Sequence, residues 1–306
     1  MSATIPSSFF WSPSRQRWFQ QCQRAYFYRY YAAPAGRLAE APPRRRETYA
    51  LCGLLRRPEW IRVHTHRAFR AFVVPDPAEP APSVEASVLK FMEVVRTDFR
   101  ASRQGGNRLL PKTTNGLFEH EYEIPVSDAA WKELVERAAE DLRRMLQTGY
   151  AGEAQKRPAE RRMFGEGPAR FEWDGLPIDL RVDLGEREDG GIRLHRWLFT
   201  AEDPAGRMLA RAALVAMAMK KAAVPLEQIS LTEVSLFSGE EQRVKLSAEE
   251  MEESRERVHD MADEMRFPLA DPERDLAREE DFEGTDDEAA CHGCPFLKVC
   301  SKWNPS

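Results

Sequence analysis

The sequence predicts an α/β fold built on a small mixed sheet, not a doubly wound one. Three features carry this reading. Residues up to about 147 repeat their apolar positions with helical spacing. Residues 169–200 switch to period two. A single helix then separates that stretch from two further strands. In chain order, Ser12-Pro13-Ser14 supplies a hydroxyl cap and a Pro that start a helix running to about Tyr31, ended by Pro34 and Gly36. Helical pattern returns at Glu47–Leu55, at Glu59–Val73 and over 83–101, with a Pro-rich loop at 75–82. Residues 127–147 place Leu134, Ala138, Leu142 and Met145 on one stripe, and 148–168 read as irregular. Ala169–Trp173, Leu176–Glu186 and Ile192–Thr200, joined by Asp174-Gly175 and Asp189-Gly190-Gly191, read as a three-stranded meander. A helix at 206–223, strands at 228–237 and 241–246, and a helix at 247–265 with a Ser247/Glu250 capping box complete the pattern. The expected division is a helical, basic part over 1–168, a ββαβ core with its following helix over 169–265, and an acidic, cysteine-bearing tail over 266–306. The stretch 268–290 reads as a wrapping or partly disordered segment.

With 306 residues, 42% of them hydrophobic, the chain can bury a sizeable core, and wholesale disorder is excluded. The longest apolar run, Ala212–Met219, is eight residues, against the roughly 20 of a membrane helix. No signal-peptide order opens the chain, so a soluble, cytoplasmic protein with reduced cysteines is expected. The net charge of −5 conceals an asymmetry. Residues 1–112 hold 19 basic and 8 acidic side chains, a net of +11; residues 246–306 hold 7 and 18, a net of −11. The N-terminal third therefore reads as a surface for a polyanion. Arg outnumbers Lys 36 to 9, which suits phosphate but equally suits a GC-rich genome.

The sharpest local signal is Cys291-His-Gly-Cys294-Pro-Phe-Leu-Lys-Val-Cys300. Three thiols at this spacing can converge on one metal centre, with Cys22, Cys52 or His292 as the fourth ligand. On the residues alone an iron–sulfur cluster, a zinc ion and free core cysteines all remain open.

The N-terminal run Ser12-Pro13-Ser14-Arg15 through Trp18, Cys22, Arg24, Tyr26 and Tyr28, together with Cys291-x2-Cys294-Pro295-Phe296-x3-Cys300, resembles the RecB-like PD-(D/E)XK nucleases. More narrowly it resembles those with a terminal iron–sulfur staple, such as the CRISPR-adaptation exonucleases and the AddB nuclease domain. The resemblance spans nearly the whole chain. It implies a restriction-endonuclease-like core, and a [4Fe-4S] cluster on Cys22, Cys291, Cys294 and Cys300, with Cys52 a spare thiol.

The family's chemistry uses an Asp at one strand end, an Asp or Glu on the next strand and a Lys two residues later, around Mg²⁺ or Mn²⁺. Here Leu180-Arg181-Val182-Asp183 resembles the first element. On the next strand His195 stands for the second carboxylate and Trp197 for the lysine. Arg211 and Val215 stand where a Gln-x3-Tyr is usual, and His66 matches the early family His better than His64. Imidazole is a poor Mg²⁺ ligand and an indole carries no charge to position water. The resemblance thus implies a degenerate nuclease with a remnant site of His66, Asp183, His195 and Trp197. The alternative is an active nuclease with relocated groups: Lys220 or Lys221 for the lysine, Glu202 or Asp203 for the acid, or Mn²⁺, Zn²⁺ or Fe²⁺ on His66, Asp183 and His195. The expected partners are DNA, gripped by Arg44, Arg45, Arg46, Arg56 and Arg57, and an ATPase, helicase or nuclease subunit in repair or antiphage defence. A redox-sensing cluster is a further option. Tyr26, Tyr28, Tyr30 and Tyr31 read as packing around the cluster rather than as a base-stacking platform.

Overall fold

A computed structural model describes residues 9–109, 115–165, 168–188, 190–199 and 203–303. The chain begins with α1 (Pro13–Gln21) and α2 (Gln23–Phe27), continued by a wide turn over Tyr28–Ala32. Next come α3 (Pro43–Leu51), α4 (Arg57–Val73), α5 (Val84–Arg103) and the single turn α6 (Phe118–Glu121). α7 (Asp128–Leu146) and α8 (Gly149–Lys156) follow, each opened by a hydroxyl cap, from Ser127 and Thr148. The stretch 148–168, expected to be irregular, therefore holds a helix and a short strand, β1 (Arg162–Phe164). The cap on Thr148 outweighs the glycines at 149 and 152.

The strands are β2 (Pro168–Trp173), β3 (Leu176–Arg181), β4 (Leu184–Glu188) and β5 (Gly191–Leu198). After α9 (Pro204–Ala222) come β6 (Ile229–Ser235), β7 (Glu241–Val244), α10 (Ala248–Arg266) and the short α11 (Glu288–His292). The result is a mixed α/β fold. Its five-stranded sheet has the order β1-β4-β5-β6-β7, with β5 and β6 parallel across the α9 crossover and the other pairs antiparallel.

The expected meander is corrected at Val182–Asp183. β2 and β3 form a separate hairpin, and β3 does not continue into β4. Apolar alternation runs unbroken through Leu176, Ile178, Leu180, Val182 and Leu184, which is why the stretch reads as one strand. The packing differs on the two sides of the bend. The first four side chains join the core around α9, whereas Leu184 joins the core against α4 and α7. A bend is needed to carry the chain from one face of the sheet to the other. The free edge of β3 is taken by the N-terminal segment: Trp11 donates its N–H to Pro177 O at 2.8 Å and accepts from Asp179 N at 2.9 Å.

Two apolar layers thus enclose the sheet. On one side α9 packs through Leu209, Ala212, Ala213 and Met217, with the hairpin and α10 beyond it. On the other side α4, α5, α7 and α8 pack through Trp60, Phe69, Phe91 and Leu142. Residues 9–31 pack with the first layer and with the C-terminal tail, not with the helices of the second. Among the described residues no helix is long and apolar enough to cross a membrane.

His64 is buried in the second layer, its ring 4.1 Å from that of Trp60 and its Nε2 3.6 Å from Asp98. Burial pushes its pKa down to about 4, against the upward pull of Asp98. The folded chain therefore refuses a proton that the unfolded chain takes below about 6.5, and stability falls as pH drops through that window. Between pH 7.5 and pH 5 this one group should remove on the order of 2 kcal/mol. Thermal melts of the wild type and of His64→Gln at both pH values check it: the variant should lose less stability on acidification.

Candidate functional site

The two ends of the chain meet at a pocket lined by Cys22, Cys291, Cys294 and Cys300, together with Trp18, Ala25, Tyr28 and Trp303. Cys22 reaches it because the first helix breaks there. Its backbone is extended, at φ −167° and ψ 114°, so it ends α1 and caps α2, its sulfur accepting the Ala25 N–H at 3.5 Å. The single helix expected over 13–31 is thus two helices with a cysteine at the joint. At the other end tight turns present the remaining thiols: Cys294 N donates to Cys291 O at 2.9 Å, and Cys300 N to Phe296 O at 2.9 Å. Cys52 is not among the lining residues; its sulfur lies 3.9 Å from Arg29 O. Burial pushes the Cys294 thiol up to about 12, and the neighbouring charges of Cys22, Cys300 and Cys291 add to the shift. These thiols feel one another, and a cationic centre among them would reverse the penalty by holding them as thiolates. Among the described residues no group of three or more His, Cys, Asp or Glu side chains is placed to hold a metal ion. The four thiols instead surround a pocket.

Aromatic packing and hydrogen bonds hold the tail against α1 and α2. Phe296 is fully buried among Ala25, Tyr28, Leu51 and Leu54. Phe282 packs on Tyr26, Phe27 and Tyr31 at ring separations of 6.0, 5.4 and 5.8 Å. Tyr28 Oη donates to Glu279 Oε1 at 2.6 Å and accepts from Ser301 N at 3.3 Å. Arg24 donates to Phe282 O and Ser301 Oγ, and Tyr122 Oη to Pro295 O. Tyr26 and Tyr28 are buried, and Tyr30 packs on Tyr26 at 5.2 Å, so these rings serve packing.

The arginines expected to meet DNA have mixed placements. Arg44 pairs with Glu279 at 2.8 Å and Arg57 with Glu119 at 3.2 Å. Arg56 lies over Phe118 and against the cysteine loop, so close that a Cβ on Gly293 would stand 2.2 Å from its Cζ. Arg45 is half-buried and Arg46 exposed, both on α3. Three of the five thus bind the protein's own acids or tail, a use that charge counting cannot distinguish from a free basic surface.

The second cluster of interest lies at the bend between β3 and β4. Asp183 Oδ1 is 3.0 Å from His66 Nε2 of α4, and its Oδ2 accepts the Trp197 backbone N–H at 2.8 Å. Arg70 donates to the Asp183 carbonyl at 2.7 Å. His66 and Asp183 are therefore brought together, 117 positions apart in sequence. His195 is not brought to them. It is fully buried, with Nδ1 3.2 Å from Tyr150 Oη and Nε2 3.1 Å from Glu186 Oε2. Arg157 donates to the same Glu186 oxygen at 2.7 Å, and Trp197 Nε1 donates to Tyr150 Oη at 2.8 Å. Arg157 Nη1 also lies 3.2 Å from His195 Nε2, and one proton order compatible with the contacts runs Trp197 to Tyr150, Tyr150 to His195 Nδ1, and His195 Nε2 to Glu186. That order uses a neutral imidazole, and burial lowers the His195 pKa. Tyr150, Arg157 and Glu186 were missed by sequence reasoning, since Tyr150 and Arg157 sit in a stretch with no periodic signal.

The Trp197 ring packs beside His66 and Phe69, at 5.6 and 5.1 Å. The arrangement offers one carboxylate and one imidazole 3.0 Å apart, not a two-carboxylate site. The described groups expected as replacements lie elsewhere. Lys220 and Lys221 lie in the last turn of α9, which returns the chain to Ile229 beside Ile192, the end of β5 away from Trp197. Asp203 caps α9, accepting Gly206 N–H at 2.7 Å. Glu202 lies outside the described residues. Arg211 is bound to Glu233, which also holds Arg196 and Arg207 on the opposite face of the sheet.

Phe296 anchors the tail, so Phe296→Ala should cost about 3–5 kcal/mol through lost burial and the cavity left behind. Denaturant unfolding checks the magnitude, and limited proteolysis should cut the variant first between 282 and 303.

No family model matches the chain, and no curated protein matches it.

Proposed function

We propose that this chain is a degenerate PD-(D/E)XK nuclease-like protein that carries a [4Fe-4S] cluster and binds DNA as a non-catalytic subunit. Its site of action is a bacterial DNA-processing, repair or antiphage complex in the cytoplasm. The observation that carries the reading is the pocket where Cys22 meets Cys291, Cys294 and Cys300. All four residues that the RecB-like resemblance implies line it, and the one cysteine left over does not. Four thiols around a pocket suit a cluster with one thiolate on each iron better than one zinc ion. When bound, the cluster crosslinks both ends of the chain, and closing so long a loop removes much unfolded-state entropy. The chain's own residues prepare the site: the break at Cys22 aims one thiol, and Phe296 docks the segment that carries the other three.

Support for a nuclease ancestry comes from the antiparallel β4–β5 pair followed by the α9 crossover to parallel β6, with Asp183 at the bend and His66 against it. Support for lost catalysis comes from Trp197 and His195. The first packs a neutral ring where a charged lysine is expected; the second is locked to Glu186 and Tyr150. Loss of one preorganised charged group slows catalysis by on the order of a hundredfold to a thousandfold. An ATPase, helicase or nuclease partner would then supply the chemistry.

Anaerobically purified protein should be brown and hold about four irons per chain. Cys22→Ala and Cys294→Ala should lose iron and melt earlier, while Cys52→Ala keeps both. Stoichiometric zinc without iron would reject the cluster.

Loaded protein should bind single- or double-stranded DNA with log K falling by roughly 0.7–0.9 per neutralised phosphate as log salt rises. It should not cleave labelled DNA with Mg²⁺ or Mn²⁺. Cleavage by the wild type that vanishes in Asp183→Ala would overturn the non-catalytic reading.

A further inference from the structure

Of the residues that line the cysteine pocket, Gln21, Gly284, Lys302 and Trp303 are exposed, and they mark its mouth. One side of that mouth belongs to the segment 283–290, which runs between two firm anchors. Phe282 before it and Phe296 beyond it are fully buried, and Arg56 packs on Gly293 just after Cys291. From Glu283 to Ala290 no residue is buried. Apolar burial therefore does not hold this stretch down, and polar contacts at the surface do. Segments held in that way open at a fraction of the free energy of global unfolding.

The contacts single out Lys302. At the anchored end, Arg24 N donates to Glu283 O at 3.0 Å. Further along, Lys302 Nζ donates to Thr285 O at 2.7 Å and to Asp286 Oδ1 at 3.2 Å. Gly284 lies between these two side chains: a Cβ there would stand 3.6 Å from Arg24 Nη1 and 3.9 Å from Lys302 Cδ. Lys302 follows Cys300 by two positions, so it ties the turn that carries one thiol to the segment that leads into another, Cys291. The segment is charged with one sign: Glu283, Asp286, Asp287 and Glu288 are acidic, and none of its residues is basic. Asp286 is fully exposed and Lys302 more than a third exposed, so their pairing is weak and screened by salt. Other hydrogen bonds, from Asp287 N to Thr285 Oγ1 and from Cys291 N to Asp287 O, lie inside the segment or join it to Cys291 and travel with it.

We propose that residues 283–290 are a strap across the cysteine pocket, latched by Lys302, and that its opening governs access to Cys291. The four lining thiols are not held alike. Cys294 precedes Pro295 and Phe296, and Cys300 follows Val299, all three buried. Cys291 instead rides on α11 at the end of the strap. With the latch closed, Cys291 is buried beside the other thiols; with it open, Cys291 parts from them and meets solvent. Cys291 is then the thiol that completes the site last and leaves it first. The strap is a property of the chain and does not depend on which metal the pocket takes.

Amide hydrogen exchange of the full chain as purified, read by mass spectrometry, tests it. Lys302→Gln should speed exchange within 283–292 by roughly twofold to tenfold, the range of an exposed charged contact, and leave residues 13–31 unchanged. Asp286→Asn, which keeps the Lys302 bond to Thr285 O, should speed it less. Raising salt from about 0.05 to about 1 M should speed exchange of the same segment in the wild type and not in Lys302→Gln. Lys298→Gln, which loses a pair with Glu121 instead, should leave the segment unchanged. Alkylation by uncharged iodoacetamide, with a chelator present, reads the thiol directly: Cys291 should gain over Cys52, which lies outside the pocket, in Lys302→Gln. Unchanged exchange in 283–292 in a Lys302→Gln protein that melts like the wild type would overturn the proposal. So would faster exchange spread over the whole chain, the same salt response in both proteins, or equal gains at Cys291 and Cys52. Where Lys302→Gln does not fold, Asp286→Asn and the salt series decide. Exchange needs no metal, so a chain without iron would reject the cluster and leave the strap standing, whereas an unresponsive segment in an iron-loaded chain would reject the strap alone.

Discussion

The docking of the C-terminal segment onto the broken first helix is the contact on which the rest of the architecture depends. Phe296 and Phe282 insert between aromatic side chains of residues 26–31. Arg24, Arg44 and Tyr122 then donate to main-chain carbonyls of the tail, those of Phe282, Val299 and Pro295. The entropic cost of joining segments some 270 positions apart is large, so a few aromatic contacts must be dense and dry to hold them. That density is what gathers the four cysteines at one pocket. It also explains why the first residues fold with the sheet and tail rather than with the helices that follow them.

The sheet separates two polar systems that answer different constraints. On the α9 side, Glu233 is fully buried and held by Arg196, Arg207 and Arg211, which drive its pKa down to about 2 against the effect of burial. On the α4 side, Trp197, Tyr150, His195, Glu186 and Arg157 form a continuous chain of hydrogen bonds. A buried network of that kind is stable only when each member has a partner, and removing one leaves an uncompensated polar group. His195 is thereby held by Tyr150, Glu186 and Arg157 in the interior, where burial lowers its pKa. The His66–Asp183 pair stands beside this network, with the Trp197 indole, the Phe199 ring and the Arg70 guanidinium around it.

Charge asymmetry takes on a concrete meaning in the same way. The basic excess of the first 112 residues and the acidic excess of the last 61 are partly each other's partners, as Arg44 with Glu279 illustrates. Arg56 packs on the cysteine loop at Gly293, where any larger residue would displace it. The net potential available to a polyanion is accordingly smaller than the count of arginines suggests. Exposed pairs of this sort add little stability and are screened by salt, but they still decide which guanidinium groups face outward.

By itself the sequence determined the mixed α/β class, the long helices, the position of α9 between strands and the cysteine spacing, because each follows from local periodicity, capping or short-range spacing. The stripe on α7 and the Ser247 cap on α10 are legible for that reason. Tertiary structure alone decided the break at Cys22, the bend at Asp183, the partners of His195 and the roles of the arginines. Each depends on a neighbour far away in the chain. The alternation through Val182 is the same whether a strand runs on or changes face, and only the two cores on either side of the sheet distinguish the outcomes. Likewise a buried histidine and a ligating one are the same letter. Tyr150 and Glu186 determine which of the two His195 is, and nothing in the sequence around it reveals that they will arrive.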